Sequence, residues 1–223
     1  NPSDRMLARP FTTDLEAFSS IPELDRKVFQ AREFLKGRQY LEARDLFQAA
    51  LDIAPWNRDA LLGLAELSHR GGLWVDGLEY VNRALQLDAY DAKANFLAGV
   101  LYRALERTAD AHDAFGWAAR STAYRTAAYS QLAELMIAGG AFTEAARYAR
   151  LALDFDSNGV PAWRALAVIG RKTGDDALAQ EAIQKLLDLD PLHHSALAEI
   201  YLTFPTEEAT ESLVSSLRGE YPN

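Results

Sequence analysis

Small residues return along this chain at fixed places, about 34 residues apart. Ala50, Ala84, Ala118 and Ala152 form one series, closed by Leu186; a second runs Ala43, Gly77, Ala111, Ala145, Ala179, and a third Ala31, Ala65, Gly99, Ala133, Ala167. Such recurrence has one economical cause: two helices of a hairpin, or neighbouring hairpins, approach too closely there for a larger side chain. Large residues fall between them at matching places: Phe34 and Tyr102; Tyr40, Trp74 and Phe142; Phe47, Val81 and Phe115. These read as plugs between helices.

The cleanest copy of the unit is Val160–His193. Trp163, Leu166, Ala167 and Ile169–Gly170 lie at helical spacing, Gly174-Asp175 breaks the pattern, and Ala179, Ile183, Leu186 and Leu187 begin a second stripe. Asp190-Pro191 ends that second helix, because proline lacks an amide hydrogen and biases its predecessor out of the helical region. Five copies follow one another without insertion: Leu24–Asn57, Arg58–Asp91, Ala92–Arg125, Thr126–Gly159 and Val160–His193.

This pattern resembles the tetratricopeptide repeat family. The resemblance covers about three quarters of the chain. It implies an all-α fold, a right-handed α-solenoid of helix-turn-helix repeats with about twelve helices and no strand. Ala89, Ala123 and Ser157 stand where the family usually has a closing proline, which predicts softer turns, and Gly77 replaces an alanine at a cost somewhat under ~1 kcal/mol. Residues 1–23, with Pro2, Pro10 and Pro22, read as a lead-in strap or linker in which Phe11, Leu15 and Phe18 could dock on the first repeat. Residues 194–223 read as a shortened sixth repeat: a helix over Ser195–Phe204, Thr206 as a cap, a helix over Glu207–Arg218 ended by Gly219, and Tyr221-Pro222-Asn223 as the turn into a seventh. The last helix carries Leu213, Val214 and Leu217, so one apolar side is expected to be exposed or covered by another molecule.

Composition narrows the function. The chain of 223 residues is 49% hydrophobic and 25% charged, which suits a folded protein, and no apolar run approaches the ~18 residues of a membrane span. A net charge of −9 argues against nucleic acid as the main partner, since neutralising phosphates needs a surplus of Lys and Arg on one face. With no cysteine there are no disulfides or thiolate ligands, and the compartment stays open.

No residue pattern calls for catalysis, a metal or a cofactor. His193-His194 is an adjacent pair in an inter-repeat turn, and His69 and His112 stand more than a repeat apart without acidic residues at ligand spacing. Gly71-Gly72 and Gly139-Gly140 lack the Lys-Ser or Lys-Thr of a phosphate loop and sit where the repeat turns. Asp175-Asp176 and Glu207-Glu208 occupy helix starts, where carboxylates favour the positive end of the dipole.

What remains is the groove that the family lines with the first helix of each repeat. The resemblance implies ligand-facing places here, among them Arg32, Glu66, Arg70, Phe96, Val100, Arg103, Glu134, Arg164, Arg171 and Lys172. The complete set holds eight Lys or Arg against four Asp or Glu, a basic groove on an acidic chain. The family's carboxylate clamp for chaperone tails is not met, because its places hold Val28 and Arg32, then Glu66, then Phe96 and Val100. The expected function is a non-catalytic protein- or peptide-binding scaffold whose ligand combines acidic groups with an apolar anchor. A narrower resemblance is carried by Leu87–Gly99, Asp110–Tyr129 and Asp190–Glu199, which are similar to the repeat half of large bacterial proteins of unknown function with a β-rich, mutarotase-like N-terminal domain. It implies an alternative, a structural arm that packs on or presents such a carbohydrate-related domain within one chain.

Overall fold

Twelve α-helices and no strand make up the described residues, 22–218, of the computed structural model. The readings placed on Phe11, Leu15 and Phe18, and on Gly219 and Tyr221-Pro222-Asn223, lie outside them. No helix is long and apolar enough to cross a membrane. The helices fall into two compact units, one ending at Ala89 and the other beginning at Tyr90.

The first unit holds α1 (Glu23–Lys36), α2 (Tyr40–Ile53), α3 (Arg58–Arg70) and α4 (Trp74–Leu87). α1 pairs with α2 and α3 with α4, and α2 joins the two hairpins by packing on α3. Asn57 starts α3 by accepting a hydrogen bond from the Ala60 amide at 2.9 Å, which satisfies one of the amides a helix start leaves open. Phe47, Ala43, Ala50, Ala31 and Ala65 are buried here. Gly63 is also forced by packing: a β-carbon on it would meet the Phe47 ring at 2.4 Å.

The second unit holds α5 (Ala92–Ala104), α6 (Thr108–Ala118), α7 (Arg125–Ala138), α8 (Phe142–Leu153), α9 (Val160–Thr173), α10 (Asp176–Leu189), α11 (His194–Thr203) and α12 (Glu207–Arg218). Successive helices again form hairpins, and first helices also touch one another, α7 against α9 and α9 against α11. Every member of the three small-residue series is buried in one unit or the other, including Leu186. Gly99 repeats the arrangement at Gly63, since an added β-carbon would lie 2.6 Å from the Phe115 ring. Of the large residues, Phe47, Val81 and Phe115 are core, whereas Tyr40 and Trp74 begin their helices half exposed.

One turn position repeats as a backbone conformation. Gly72, Gly140 and Gly174 have φ of 74°, 75° and 73°. The aligned places in the first and third hairpins are Arg38 and Glu106, at 60° and 59°. The tight turn inside a hairpin demands the left-handed region at that point whichever residue occupies it.

The missing closing prolines act unequally. Ala89 follows a fully extended Asp88, as Pro55 follows Ala54 and Pro191 follows Asp190, and α2, α4 and α10 are all 14 residues long. By contrast α6 and α8 stop at Ala118 and Leu153, short of Ser121 and Phe155, the places aligned with the end of α4. Their next residues, Ala119 and Asp154, stay in the helical region and lead into longer links. In the last hairpin Thr206 accepts from the Ala209 amide at 3.1 Å, while Leu217, Leu202 and Val214 are exposed.

Candidate functional site on the first-helix face

Several of the charged residues read as groove-lining form ion pairs, most of them across neighbouring first helices. In the first unit Arg32 on α1 meets Asp59 on α3 at 2.6 Å, and Arg70 pairs with Glu66 on its own helix at 3.2 Å. Asp59 also holds its neighbour Arg58 at 3.0 Å. Each sits at a largely wetted surface where such pairs contribute little, typically ~0–1 kcal/mol.

In the second unit Glu134 on α7 stands between two arginines. Arg103 from α5 reaches one carboxylate oxygen at 2.8 Å and Arg164 from α9 reaches the other at 2.6 Å. Gln131 adds a longer hydrogen bond at 3.4 Å. Three successive first helices are thus tied through one side chain, and two positive charges share one negative.

Farther along α9, Arg171 donates to both oxygens of Glu199 on α11, at 2.6 and 3.2 Å. The hydrogen bond to Glu199 and its charge raise the Arg171 guanidinium above its ordinary range, against the opposing effect of burial. Glu199 is buried, with 7% of its surface exposed. Its aligned places on earlier first helices are Phe29, Gly63, Leu97, Gln131 and Ala165, mostly small or apolar. A carboxylate in that register needs a cation within reach. That register signal was available in the sequence, and the groove reading had omitted Glu199. Lys172, next to Arg171, is exposed and has no ion-pair partner among the described residues.

The apolar residues at the groove places pack in part on the core. Phe96 is wedged between Phe115 and Tyr124, at ring-centroid distances of 5.6 and 5.5 Å. With Val100 it packs on the core around Phe115 and Leu132, so it is partly a core residue rather than an open floor. Ile137 packs half-buried on the core around Leu166, and Val168 is half-buried on α9.

The histidines have local duties. His193 starts α11 by accepting from the Ala196 amide at 3.3 Å, and His112 lies 3.1 Å from the Tyr148 hydroxyl. Among the described residues no group of three or more His, Asp or Glu is gathered to hold a metal ion. In the first unit a depression of about 580 Å³ opens between α2 and α4, lined in part by Tyr40, Leu41, Leu73 and Tyr80. None of the sequence-predicted groove residues lines it.

Known proteins agree with this architecture. The sequence profile of the tetratricopeptide repeat family matches residues 30–92. No curated protein sequence matches the chain. Among solved structures, PilW, described as a widely conserved type IV pilus biogenesis factor, is similar with a TM-score of 0.79 and 22% identity over 91% of this chain and 96% of that one. PilF of Pseudomonas aeruginosa is similar with a TM-score of 0.76 and 18% identity, over 90% of this chain and 93% of that one. YrrB, described as a TPR protein with an unusual peptide-binding site, is similar with a TM-score of 0.59 and 21% identity, over 78% of this chain and 90% of that one. Sequence over 30–92 matches the tetratricopeptide repeat family, and helical hairpins that repeat the same small residues and the same turn conformation give the chain the fold of a tetratricopeptide array.

Proposed function

We propose that the chain is a non-catalytic scaffold that binds a protein or peptide on its first-helix face, and that the ligand presents a carboxylate beside an apolar side chain. The observation that carries this reading is the sharing of Glu134 by Arg103 and Arg164. One carboxylate between two guanidinium groups leaves an uncompensated positive charge and several N–H donors on that face. A second carboxylate can be accepted there without breaking the first. Lys172 and the half-buried Ile137 and Val168 extend the surface along α7 and α9. A structural neighbour described as having a peptide-binding site adds support from analogy.

The test is calorimetric titration of the full chain with short acidic peptides that do or do not carry a leucine or phenylalanine. Binding should weaken with salt and fall about tenfold or more in Arg103→Glu or Arg164→Glu. Phe96→Ala is a poor probe because it opens the core. Affinity indifferent to both arginines and to salt would overturn the reading.

A further inference from the structure

Three aromatic residues of the second unit are exposed in and beside the links between hairpins: Tyr90 at 70%, Phe155 at 55% and Trp117 at 40%. They are not scattered. Tyr90 packs on Trp117 at 5.1 Å between ring centroids, Arg120 lies over Trp117 at 4.5 Å, and Arg125 lies over Phe155 at 4.6 Å. The two arginines are joined, because Arg125 donates to the Arg120 carbonyl. The result is two ring-stacked guanidinium groups, linked through the Arg120 backbone, separate from the Arg103, Glu134 and Arg164 cluster.

A dull account exists for part of it. Arg125 also donates to the Ala119 carbonyl, so it covers the open end of the shortened α6. That account does not reach Arg120, which is exposed and has no carboxylate partner among the described residues, on a chain whose net charge is −9. Nor has Arg125 one, and only two of its five N–H donors are occupied. Stacking on a ring removes water from one face of a guanidinium and fixes its plane, which prepares the free edge for bidentate contact with a carboxylate.

We propose that this link edge is a second interaction surface, and that its occupant is a short acidic protein segment carrying an aromatic or branched apolar residue next to its carboxylates. The guanidinium edges take the carboxylates, and the exposed surface of the Tyr90–Trp117 pair takes the apolar residue. A sugar fits less well, since it stacks on an open ring face and the faces of Trp117 and Phe155 already hold guanidinium groups. A nucleic acid fits less well too, because two unpaired cations do not make a phosphate track.

The test uses the full chain and a fluorescein-labelled peptide with Glu-Phe-Glu in a glycine–serine frame, read by fluorescence anisotropy at low and moderate salt. Binding is expected to weaken with salt and, measured in the Arg103→Glu background so that the first-helix face does not contribute, to drop about tenfold in Arg120→Glu and to drop in Tyr90→Ala. Melting curves of each variant check that it folds. No binding at millimolar peptide overturns the proposal, as does binding that ignores Arg120→Glu. Binding that is already lost in the Arg103→Glu background, before Arg120 is changed, overturns it and returns the ligand to the first-helix face. Arg120-dependent binding of a sulfated oligosaccharide or a single-stranded oligonucleotide, without peptide binding, overturns it in favour of that class.

Discussion

Arg171 on α9 and Glu199 on α11 form a two-pronged ion pair across adjacent hairpins, with Glu199 buried in a register that no earlier repeat fills with a charged residue. Removing one partner from such a pair costs more than removing both, because the survivor is left as an uncompensated buried charge. Arg171→Met should therefore lower stability by roughly 2–3 kcal/mol. The double variant Arg171→Met, Glu199→Leu should recover most of it. Thermal melting of both checks this; equal losses in the single and double variants would mean the pair is a wetted contact.

Glu106 is held at φ 59° in a turn where three aligned places use glycine. A residue with a β-carbon is strained there, and glycine is not. Glu106→Gly should raise stability by about 0.5–1 kcal/mol, against the usual expectation that a new glycine destabilises. A denaturant midpoint that moves down instead would show that the turn relaxes around Glu106.

Gly170 makes the opposite case. A β-carbon on it would lie 2.5 Å from the backbone nitrogen of Ala179 and 2.8 Å from its Cα, and backbone cannot swing aside as a ring can. Alanine would gain about 1 kcal/mol in helix propensity, but overpacking costs roughly 1–3 kcal/mol, and the contact is to the neighbouring helix itself. Gly170→Ala should thus destabilise, with α9 and α10 forced apart. A higher melting point would refute the close approach.

The reading of the sequence succeeded where the information is periodic and failed where it is pairwise. Ala43, Ala111, Ala145 and Ala179 advertise helix contact because each repeat states the same constraint again, and all are buried. The two arginines on Glu134 are different. Counting charges at aligned positions showed a basic surplus, but which cation meets which carboxylate depends on the spacing and tilt of separate helices, and no local pattern carries that. Phe96 is a similar case: its place on α5 is legible, whereas its wedging between Phe115 and Tyr124 is a product of tertiary packing. At the missing prolines the sequence pointed to softer turns. It could not separate Ala89, where α4 keeps its full length, from Ala123 and Ser157, where α6 and α8 end early.

Asp91 carries a prediction about helix starts. Its carboxylate accepts from the Ala94 amide at 2.9 Å, its carbonyl accepts from the Asn95 side chain at 2.9 Å, and it is buried. Asp91→Ala should cost about 1–2 kcal/mol, the upper part of the range for a lost cap, because water cannot easily replace the oxygen. Asp91→Asn should restore much of this, since its amide oxygen can accept the same bond. Equal melting points for the two variants would argue against the cap.

Glu134→Gln separates the structural and binding roles of the first-helix face. In the folded chain Glu134 holds Arg103 at 2.8 Å and Arg164 at 2.6 Å, with its side chain partly shielded from water. Neutralising it gives up two ion pairs, each worth roughly 0.2–1 kcal/mol at a surface, so stability should fall by about 1 kcal/mol. The same change releases both guanidinium groups toward solvent and adds one unit of positive charge at the place proposed for a ligand carboxylate. Affinity for an acidic peptide should therefore rise, by about fivefold if the freed attraction is near 1 kcal/mol, and the gain should shrink as salt is added. Glu134→Ala should behave alike for binding, since neither variant retains the competing charge. If instead affinity falls in step with stability, Glu134 is a strut between α5, α7 and α9, and the ligand does not use Arg103 and Arg164.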